Sequence, residues 1–513
     1  MLLEQAQVVE FMSRAGAYDP APAVVDRIET HASFVFLAGE FAYKIKRSVR
    51  LPFLDFSTLE KRHRACLNEL RLNRRTAPQM YLEVVPLALD TSGKLSLRDR
   101  GDTVEWVLVM RRFEQEYLYD RMAIDGRLSL EAMGQTALEI AALHRAADRT
   151  LTADQAVVSL QKIISEHEDA LKEAAHDILP QDVADPLARQ TRSAFEKRRS
   201  LLRRRANTGF VRHCHGDLHL RNIVAIKGRP VLFDALEFDD SLATIDVLYD
   251  LAFLLMDLGK HGLGVHANAV LNSYLDDGGS GNLVGVATLP LFLSLRAVIR
   301  AKIDLIRAKS AAPSEAKTAR DQARDYFELA LRFLESDAPR LIAVSGLSGS
   351  GKSTIARAMA PQIGTFPGAV IVRSDAERKR LFGVAPAARL PKAAYTPEIS
   401  DLVYTLCRKR AALVLEAGRS VIVDAVHSRP EERKAIAAVA QNHSVSFAGL
   451  WFDAPAEVLQ ERVAHRVGDV SDATADVVRD QLAYDLGAME YDRIDASGSL
   501  DDVVQHSLHR LKS

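Results

Sequence analysis

The sequence predicts two folds in one chain: a mixed α+β domain over residues 1–335, then an α/β domain with a parallel sheet over residues 336–513. Three observations predict this. At 513 residues the chain is too long for one ordinary core. Its pattern changes at Glu335-Ser336-Asp337-Ala338-Pro339, a polar, proline-bearing stretch between a long helical pattern and a new strand. Before that stretch strands come first and helices after, whereas beyond it strands and helices alternate.

In the first part, Ser33–Gly39 and Phe41–Lys46 read as two strands of a hairpin with a glycine-containing turn. A charged helix over about 57–75 carries Glu69, and Glu105–Met110 is a further strand. These define a small lobe at about 20–112. Helical patterns dominate from about 113 to 335, including Ser129–Ala147 and Ala156–Arg205, with a short buried strand at Val231–Asp234. In the second part, Leu341–Ser345, Ala369–Arg373, Ser420–Asp424 and Ser446–Phe452 read as strands, each followed by a helix. There is no internal repeat, and the two parts are not copies of each other.

Bulk chemistry narrows the classes. Hydrophobic content of 48% and charged content of 26% are those of a soluble globular protein. A net charge of −1 supplies no global field for nucleic acid or an anionic membrane. The three cysteines, Cys66, Cys214 and Cys407, form no close pair, which speaks against a disulfide framework or zinc knuckle and for a cytoplasmic protein. No signal peptide is expected, and the apolar stretches Leu248–Leu258 and Leu283–Leu295 read as buried helices rather than membrane spans. The basic run Lys197–Arg205 has no interleaved aromatics and reads as a solvated helix face. Neither a membrane nor a protein partner is indicated.

Two constellations carry chemistry. The first is His215-Gly216-Asp217-Leu218-His219-Leu220-Arg221-Asn222, with Asp234 further on. Phosphoryl transfer needs a carboxylate for the acceptor hydroxyl, ligands for Mg²⁺ and a lysine on the α/β-phosphates. Asp217 suits the first task, and Asn222 and Asp234 suit the second. Lys44, held by an ion pair from Glu69, suits the third, although Lys46 shares its strand face. His213-Cys214-His215 is too tightly spaced to put three ligands on one ion, so His215 is expected to brace the loop. His144 is expected to be a packed core histidine.

With Leu143-His144 and Asp250-Leu251-Ala252 added, residues about 25–330 resemble the aminoglycoside phosphotransferase branch of the protein-kinase-like fold. The resemblance implies a β-rich lobe, a hinge and a helical lobe. It also implies phosphorylation of a sugar, choline, another small alcohol or an antibiotic. Two features depart from that family: no glycine-rich loop precedes Lys44, and Ala-Leu-Glu follows Asp234.

The second constellation is Gly346-Leu347-Ser348-Gly349-Ser350-Gly351-Lys352-Ser353, between the strand Leu341–Val344 and a helix from Thr354. This is the setting of a Walker A P-loop. Gly346, Ser348, Gly349, Ser350, Gly351 and Thr354 belong to the phosphate cradle, where backbone N–H groups and the helix N-terminus meet the anion. Lys352 suits the β/γ-phosphates, and Ser353 suits Mg²⁺. Asp424 ends a strand as a Walker B carboxylate would, and Asp375 follows another at the same sheet edge. Arg462 and Arg466 are one helical turn apart, suited to folding over the transferring phosphate.

Residues about 340–513 resemble the small P-loop kinases: gluconate-type, polynucleotide and zeta-toxin-like. That resemblance implies that Asp375 is the acceptor-side base, that Arg378 holds the acceptor, and that Arg462 and Arg466 are lid groups. The expectation is a bifunctional phosphotransferase moving the γ-phosphoryl group of ATP or GTP, with Mg²⁺, to hydroxyl acceptors. A small hydroxyl-bearing substrate is expected, with an RNA end as a further option for the P-loop domain. The alternatives are a nucleotide-sensing regulatory protein, or a polynucleotide 5′-kinase or toxin-like activity in the P-loop half.

Overall fold

The computed structural model describes residues 5–30, 32–51, 54–98, 101–149, 152–277, 279–385, 388–465 and 471–511. The chain packs as two compact units, residues 1–152 with 209–254, and residues 153–208 with 255–513. This division by packing is a different cut from the linear one expected at residue 335. The stretch Glu335–Pro339 is without helix or strand, between the helix Pro313–Leu334 and the strand Arg340–Ser345.

The first unit is built on a six-stranded antiparallel sheet. Its spatial order is Val25–Glu29, Ser33–Ala38, Phe41–Lys46, Asp102–Arg111, Tyr81–Leu89 and Leu95–Leu97. The expected hairpin lies within it: Ala38 pairs with Phe41, leaving Gly39-Glu40 as the turn, with Gly39 at φ +60°. Strand parity decides which side chains share a face. Phe36, Ile45 and Val107 pack with Val8 and Met12 of the helix Gln5–Met12 on one face. Leu37, Ala42 and Leu108 occupy the other, together with Leu70 of the helix Leu59–Asn73. Lys44 and Lys46 have the parity of Ala42, so they point to the face whose helix carries Glu69.

Beyond the sheet, Ile223–Ile226 and Arg229–Leu232 form a hairpin whose turn residues, Lys227 and Gly228, both have positive φ, the arrangement that suits a two-residue turn. The strand expected to end in Asp234 stops at Leu232, and Asp234 stands past it at φ +58°.

In the second unit, the helical pattern expected over Ala156–Arg205 is two helices, Ala153–Asp177 and Gln181–Asn207, interrupted before Pro180. The helices Gly264–Asp277, Leu289–Ser310 and Pro313–Leu334 follow. One stretch among the described residues, Ser280–Lys309, has the length and hydropathy of a membrane span, and 83% of its apolar window is buried inside the protein.

The same unit holds a five-stranded parallel sheet, ordered Val370–Arg373, Val421–Asp424, Arg340–Ser345, Ser446–Asp453 and Asp492–Asp495. Its inner strands are near-continuous apolar runs, as burial on both faces requires. The crevice of such a sheet lies at the carboxyl ends of its strands. Those ends carry Arg373, Asp424, Ser345 and Asp453.

Two outcomes follow for stability. A Cβ on Gly449 would run into the ring of Tyr491, whereas one on Gly498 would meet nothing within 4 Å. Gly449→Ala is expected to cost about 1–3 kcal/mol in denaturant unfolding, with Gly498→Ala close to neutral. Burial, helped by Lys302 and Arg296, pushes the His167 ring from its ordinary 6.5 down to about 3. The unfolded chain therefore binds a proton below pH 6.5 that the folded chain refuses, so this contribution to stability is lost as pH falls from 6.5 towards 3. His167→Leu is expected to flatten the acid limb of the unfolding midpoint against pH.

Candidate functional site

In the first unit, one buried carboxylate shapes the His215–Asp217 loop. Asp250, in the first turn of the helix Val247–Lys260, is fully buried. Its Oδ2 accepts from the His215 amide at 3.0 Å and its Oδ1 from the Gly216 amide at 2.9 Å. His144 Nε2 lies 3.0 Å from Oδ2. Gly216 has φ +84°, and a Cβ there would sit 3.0 Å from the Leu236 Cβ. Arg75 donates to the carbonyls of His213 and Cys214, at 2.8 and 2.9 Å.

His215 Nε2 lies 3.0 Å from the Phe233 carbonyl, which can only accept, so the ring donates there; burial lowers its pKa. These contacts match the bracing expected of His215 and the packed position expected of His144. The ligand atoms of His144, Cys214 and Asp250 lie within 4.8 Å of one another. They are already committed, because Cys214 Sγ donates to the Ile245 carbonyl and both Asp250 oxygens accept N–H groups.

Asp217 follows the clamp, with its side chain 39% exposed. Asn222 Nδ2 donates to the Asp217 carbonyl at 2.8 Å and to its Oδ2 at 3.0 Å, and lies 3.5 Å from the Asp234 carbonyl. Lys44 Nζ is 2.8 Å from Glu69 Oε1 and 2.8 Å from Asp234 Oδ1. Lys44, Asp234, Asn222 and Asp217 thus form one continuous run of contacts.

Lys46 Nζ is 2.5 Å from Glu69 Oε2 and also pairs with Glu237. Glu69 therefore holds both lysines, while Lys44 is the one bridged to Asp234. Burial opposes charge on Lys44, but Asp234, Glu69 and Glu237 outweigh it and hold the ammonium well above the ordinary lysine value. Burial likewise works to raise Asp234, and Lys44 more than offsets it. Burial dominates at Glu237 and raises its carboxyl.

The left-handed backbone at Asp234 is strapped on both sides. Its amide donates to Tyr81 Oη at 3.1 Å, and the Ala235 amide donates to Asn73 Oδ1 at 2.8 Å. Sequence reasoning did not find Glu237, Tyr81 or Asn73. The Ala-Leu-Glu departure after Asp234 was the available signal for Glu237.

In the second unit, Gly346, Gly349 and Gly351 have φ of +143°, +88° and +81°. A Cβ on Gly346 would lie 2.5 Å from the Phe452 carbonyl oxygen, and one on Gly349 would strike the Leu459 carbonyl. Only glycine fits either turn of the loop. Gly351 is the N-cap of the helix Lys352–Met359, and Thr354 is exposed in its first turn. The Ser348 amide donates to Gln481 Oε1 at 2.7 Å, and Ser350 is buried within the loop.

Lys352 Nζ is 3.5 Å from the Leu347 carbonyl. Ser353 Oγ donates to Asp424 Oδ2 at 2.6 Å, and Arg373 Nε approaches the same oxygen at 3.3 Å. Asp375 is half-buried in the first turn of the helix Ser374–Leu381.

Arg378 is buried, donating to the Ala394 carbonyl at 2.7 Å with its guanidinium 4.7 Å from the centre of the Tyr395 ring. Arg462 donates to the Ala496 carbonyl at 2.9 Å, and its Nη1 lies 3.8 Å from where a Gly351 Cβ would be. Arg466 lies outside the described residues. Sequence reasoning missed Arg373 and Gln481, whose partners are 51 and 133 residues away.

A family model described as the phosphotransferase enzyme family matches residues 53–282, and one described as an AAA domain matches residues 341–485. Uncharacterized protein Rv2004c of Mycobacterium tuberculosis (strain ATCC 25618 / H37Rv) is 30% identical over 498 residues, covering 95% of this chain and 96% of that protein. Uncharacterized protein Mb2027c of Mycobacterium bovis matches to the same extent. Among solved structures, a choline/ethanolamine kinase family protein from Mesorhizobium loti is 16% identical, covering 64% of this chain and 98% of its own, with a TM-score of 0.39. A gluconokinase from Sinorhizobium meliloti 1021 is 22% identical, covering 34% of this chain and 93% of its own, with a TM-score of 0.26.

Removing the clamp should be costly. Asp250→Ala strands two buried amides, and is expected to lower stability by about 2–4 kcal/mol. Unfolding followed in urea checks it, and a loss below about 0.5 kcal/mol would contradict the clamp.

Proposed function

We propose, because this chain belongs to the family that joins a phosphotransferase-enzyme kinase domain to a P-loop kinase domain and includes its mycobacterial relatives, that it is an enzyme with two phosphotransfer sites. Each site moves the γ-phosphoryl group of ATP or GTP to a hydroxyl. The observation that carries the reading is the run Lys44–Asp234–Asn222–Asp217, in which four groups suited to phosphoryl transfer touch in sequence.

At the first site Asp217 takes the proton of the acceptor hydroxyl as its oxygen bonds to phosphorus and the nucleoside diphosphate leaves. Asn222 holds the Asp217 carboxylate in place. Lys44, kept charged by its carboxylate partners, steadies the nucleotide phosphates. At the second site the Gly346–Thr354 backbone cradles the phosphates, Lys352 pairs with them, and Asp375 receives the acceptor proton. Arg378 supports the acceptor side through Tyr395, and Arg462 belongs over the transferring group.

Both donor sets fit Mg²⁺. Asp234 keeps its side chain 41% exposed while Asn222 Nδ2 lies 3.5 Å from its main-chain carbonyl, and Ser353 Oγ and Asp424 Oδ2 are already in contact. Asn222 with Asp234, and Ser353 with Asp424, would hold the ion. When bound, Mg²⁺ neutralises charge that develops on the phosphate oxygens. The acceptor at the first site is a small hydroxyl compound, and the P-loop site takes a small hydroxyl compound or an RNA end.

The test is Mg²⁺-dependent ATP and GTP turnover by the intact chain, Asp217→Ala and Lys352→Ala, against a panel of small alcohols, sugars, aminoglycosides and RNA 5′ ends. Each substitution is expected to remove a separate acceptor-stimulated activity by about a hundredfold or more. If one substitution leaves every activity intact, that half binds nucleotide without turnover, and the regulatory reading replaces the bifunctional one.

A further inference from the structure

The helix Gly264–Asp277 lies inside the stretch matched by the phosphotransferase enzyme family, yet its polar stripe is spent on the P-loop sheet. Asn268, Asn272 and Asp276 follow one another at intervals of four, which stacks them on one helix face. Asn272 Oδ1 accepts from the Ile371 amide at 2.7 Å, and its Nδ2 is 3.2 Å from the Ala369 carbonyl. Asn268, 2% exposed, donates from Nδ2 to the carbonyls of Pro367 at 3.0 Å and Ala369 at 3.1 Å. Asn272 Nδ2 also reaches back to Asn268 Oδ1 at 3.0 Å, so the two amides are oriented together.

One turn on, Arg380 Nη2 donates to the Asp276 carbonyl at 2.7 Å and stands 3.8 Å from its carboxylate. Phe366 adds an apolar contact, with its ring 5.2 Å from Phe333 and against Gly259.

The geometry has a particular target. The strand Val370–Arg373 is one of the two outer strands of the sheet, and among the described residues no strand pairs with its free side. The Asn272 side chain presents one acceptor and one donor in place of a neighbouring strand. The anchored segments, Ile371 before and Arg380 after, bracket Arg373 and Asp375. Arg373 meets the carboxylate of Asp424.

We infer that Asn272, supported by Asn268 and Asp276, is a positioning residue for the acceptor side of the P-loop site. It fixes the strand that leads into the helix turn carrying Asp375. The P-loop half then does not carry its complete site alone, because a helix of the preceding kinase segment finishes it. This inference rests on the reading that the P-loop site turns over nucleotide with Asp375 on the acceptor side.

The experiment uses the full chain. Asn272→Leu removes both amide partners at similar volume, and Asn272→Asp restores the acceptor for the Ile371 amide alone. Hydrogen exchange of the peptide containing Ile371 is read together with the MgATP turnover that Lys352→Ala abolishes, using the acceptor found by the panel, or water. For Asn272→Leu, faster exchange at Ile371 and a fall in kcat of about tenfold or more are expected. The KM for MgATP should stay within about twofold. Asn272→Asp should fall between the parent and Asn272→Leu, and Asp217-dependent turnover should be unchanged.

Faster exchange with unchanged kcat would make the stripe a merely structural contact and overturn the inference, as would unchanged exchange. A parallel fall in both activities would mean general destabilisation, and would overturn it too. If the parent shows no Lys352-dependent turnover, the proposed function of the P-loop half fails and this inference fails with it. Turnover that is present but insensitive to Asn272 sinks the inference alone.

Discussion

Asp250 lies beyond the reach of water, and the surroundings of the His215–Asp217 loop are arranged to answer its charge. A lone buried carboxylate is expensive, and here it is met by two backbone amides and an imidazole. Those amides belong to the two residues directly before Asp217. The same interaction that makes the charge tolerable therefore sets the path of the chain into Asp217. The next layer repeats the logic. Glu69 is buried between two lysines, each lysine reaches a second carboxylate, and one of those is Asp234. Charges that could not survive singly in the interior hold one another in register.

The P-loop half adds close backbone approach to its buried ion pairs. Its loop passes so close to the Phe452 and Leu459 carbonyls that no side chain fits at Gly346 or Gly349. Left-handed glycine backbone is the conformation that lets neighbouring N–H groups turn to one side, which suits an anion. The charged group buried beside it, Asp424, is shared by the Ser353 hydroxyl and the Arg373 guanidinium. The guanidinium answers its negative charge, and the hydroxyl ties it to the end of the P-loop.

What sequence reasoning could read followed from local signals. The hairpin around Gly39, the helix bearing Glu69 and four of the five parallel strands have strong periodicity or uninterrupted apolar runs. The fifth, Asp492–Asp495, buries only Ile494, so it carries no apolar signature. Tyr81–Leu89 contains Pro86 and Glu83, which weaken a strand pattern, although the strand pairs along most of its length with Asp102–Arg111. The candidate site residues were legible by type and spacing, whereas their supports were not. Asp250 answers amides 34 and 35 residues away, and Tyr81 straps a backbone amide 153 residues distant. Only the tertiary fold brings such partners together.

The sealed outer strand has a consequence for how this chain behaves when it is cut. An open parallel sheet ends in a row of peptide groups that will accept another chain, and proteins commonly blunt such edges. Here the blunting is done by side-chain amides from a helix more than ninety residues earlier in the sequence. A fragment beginning at the coil Glu335–Pro339 would keep the whole parallel sheet and lose its cover. Its newly bare edge, running through the apolar Val370-Ile371-Val372, would be a template for self-association. Solubility of the P-loop half is in this sense a property lent to it by the half that precedes it.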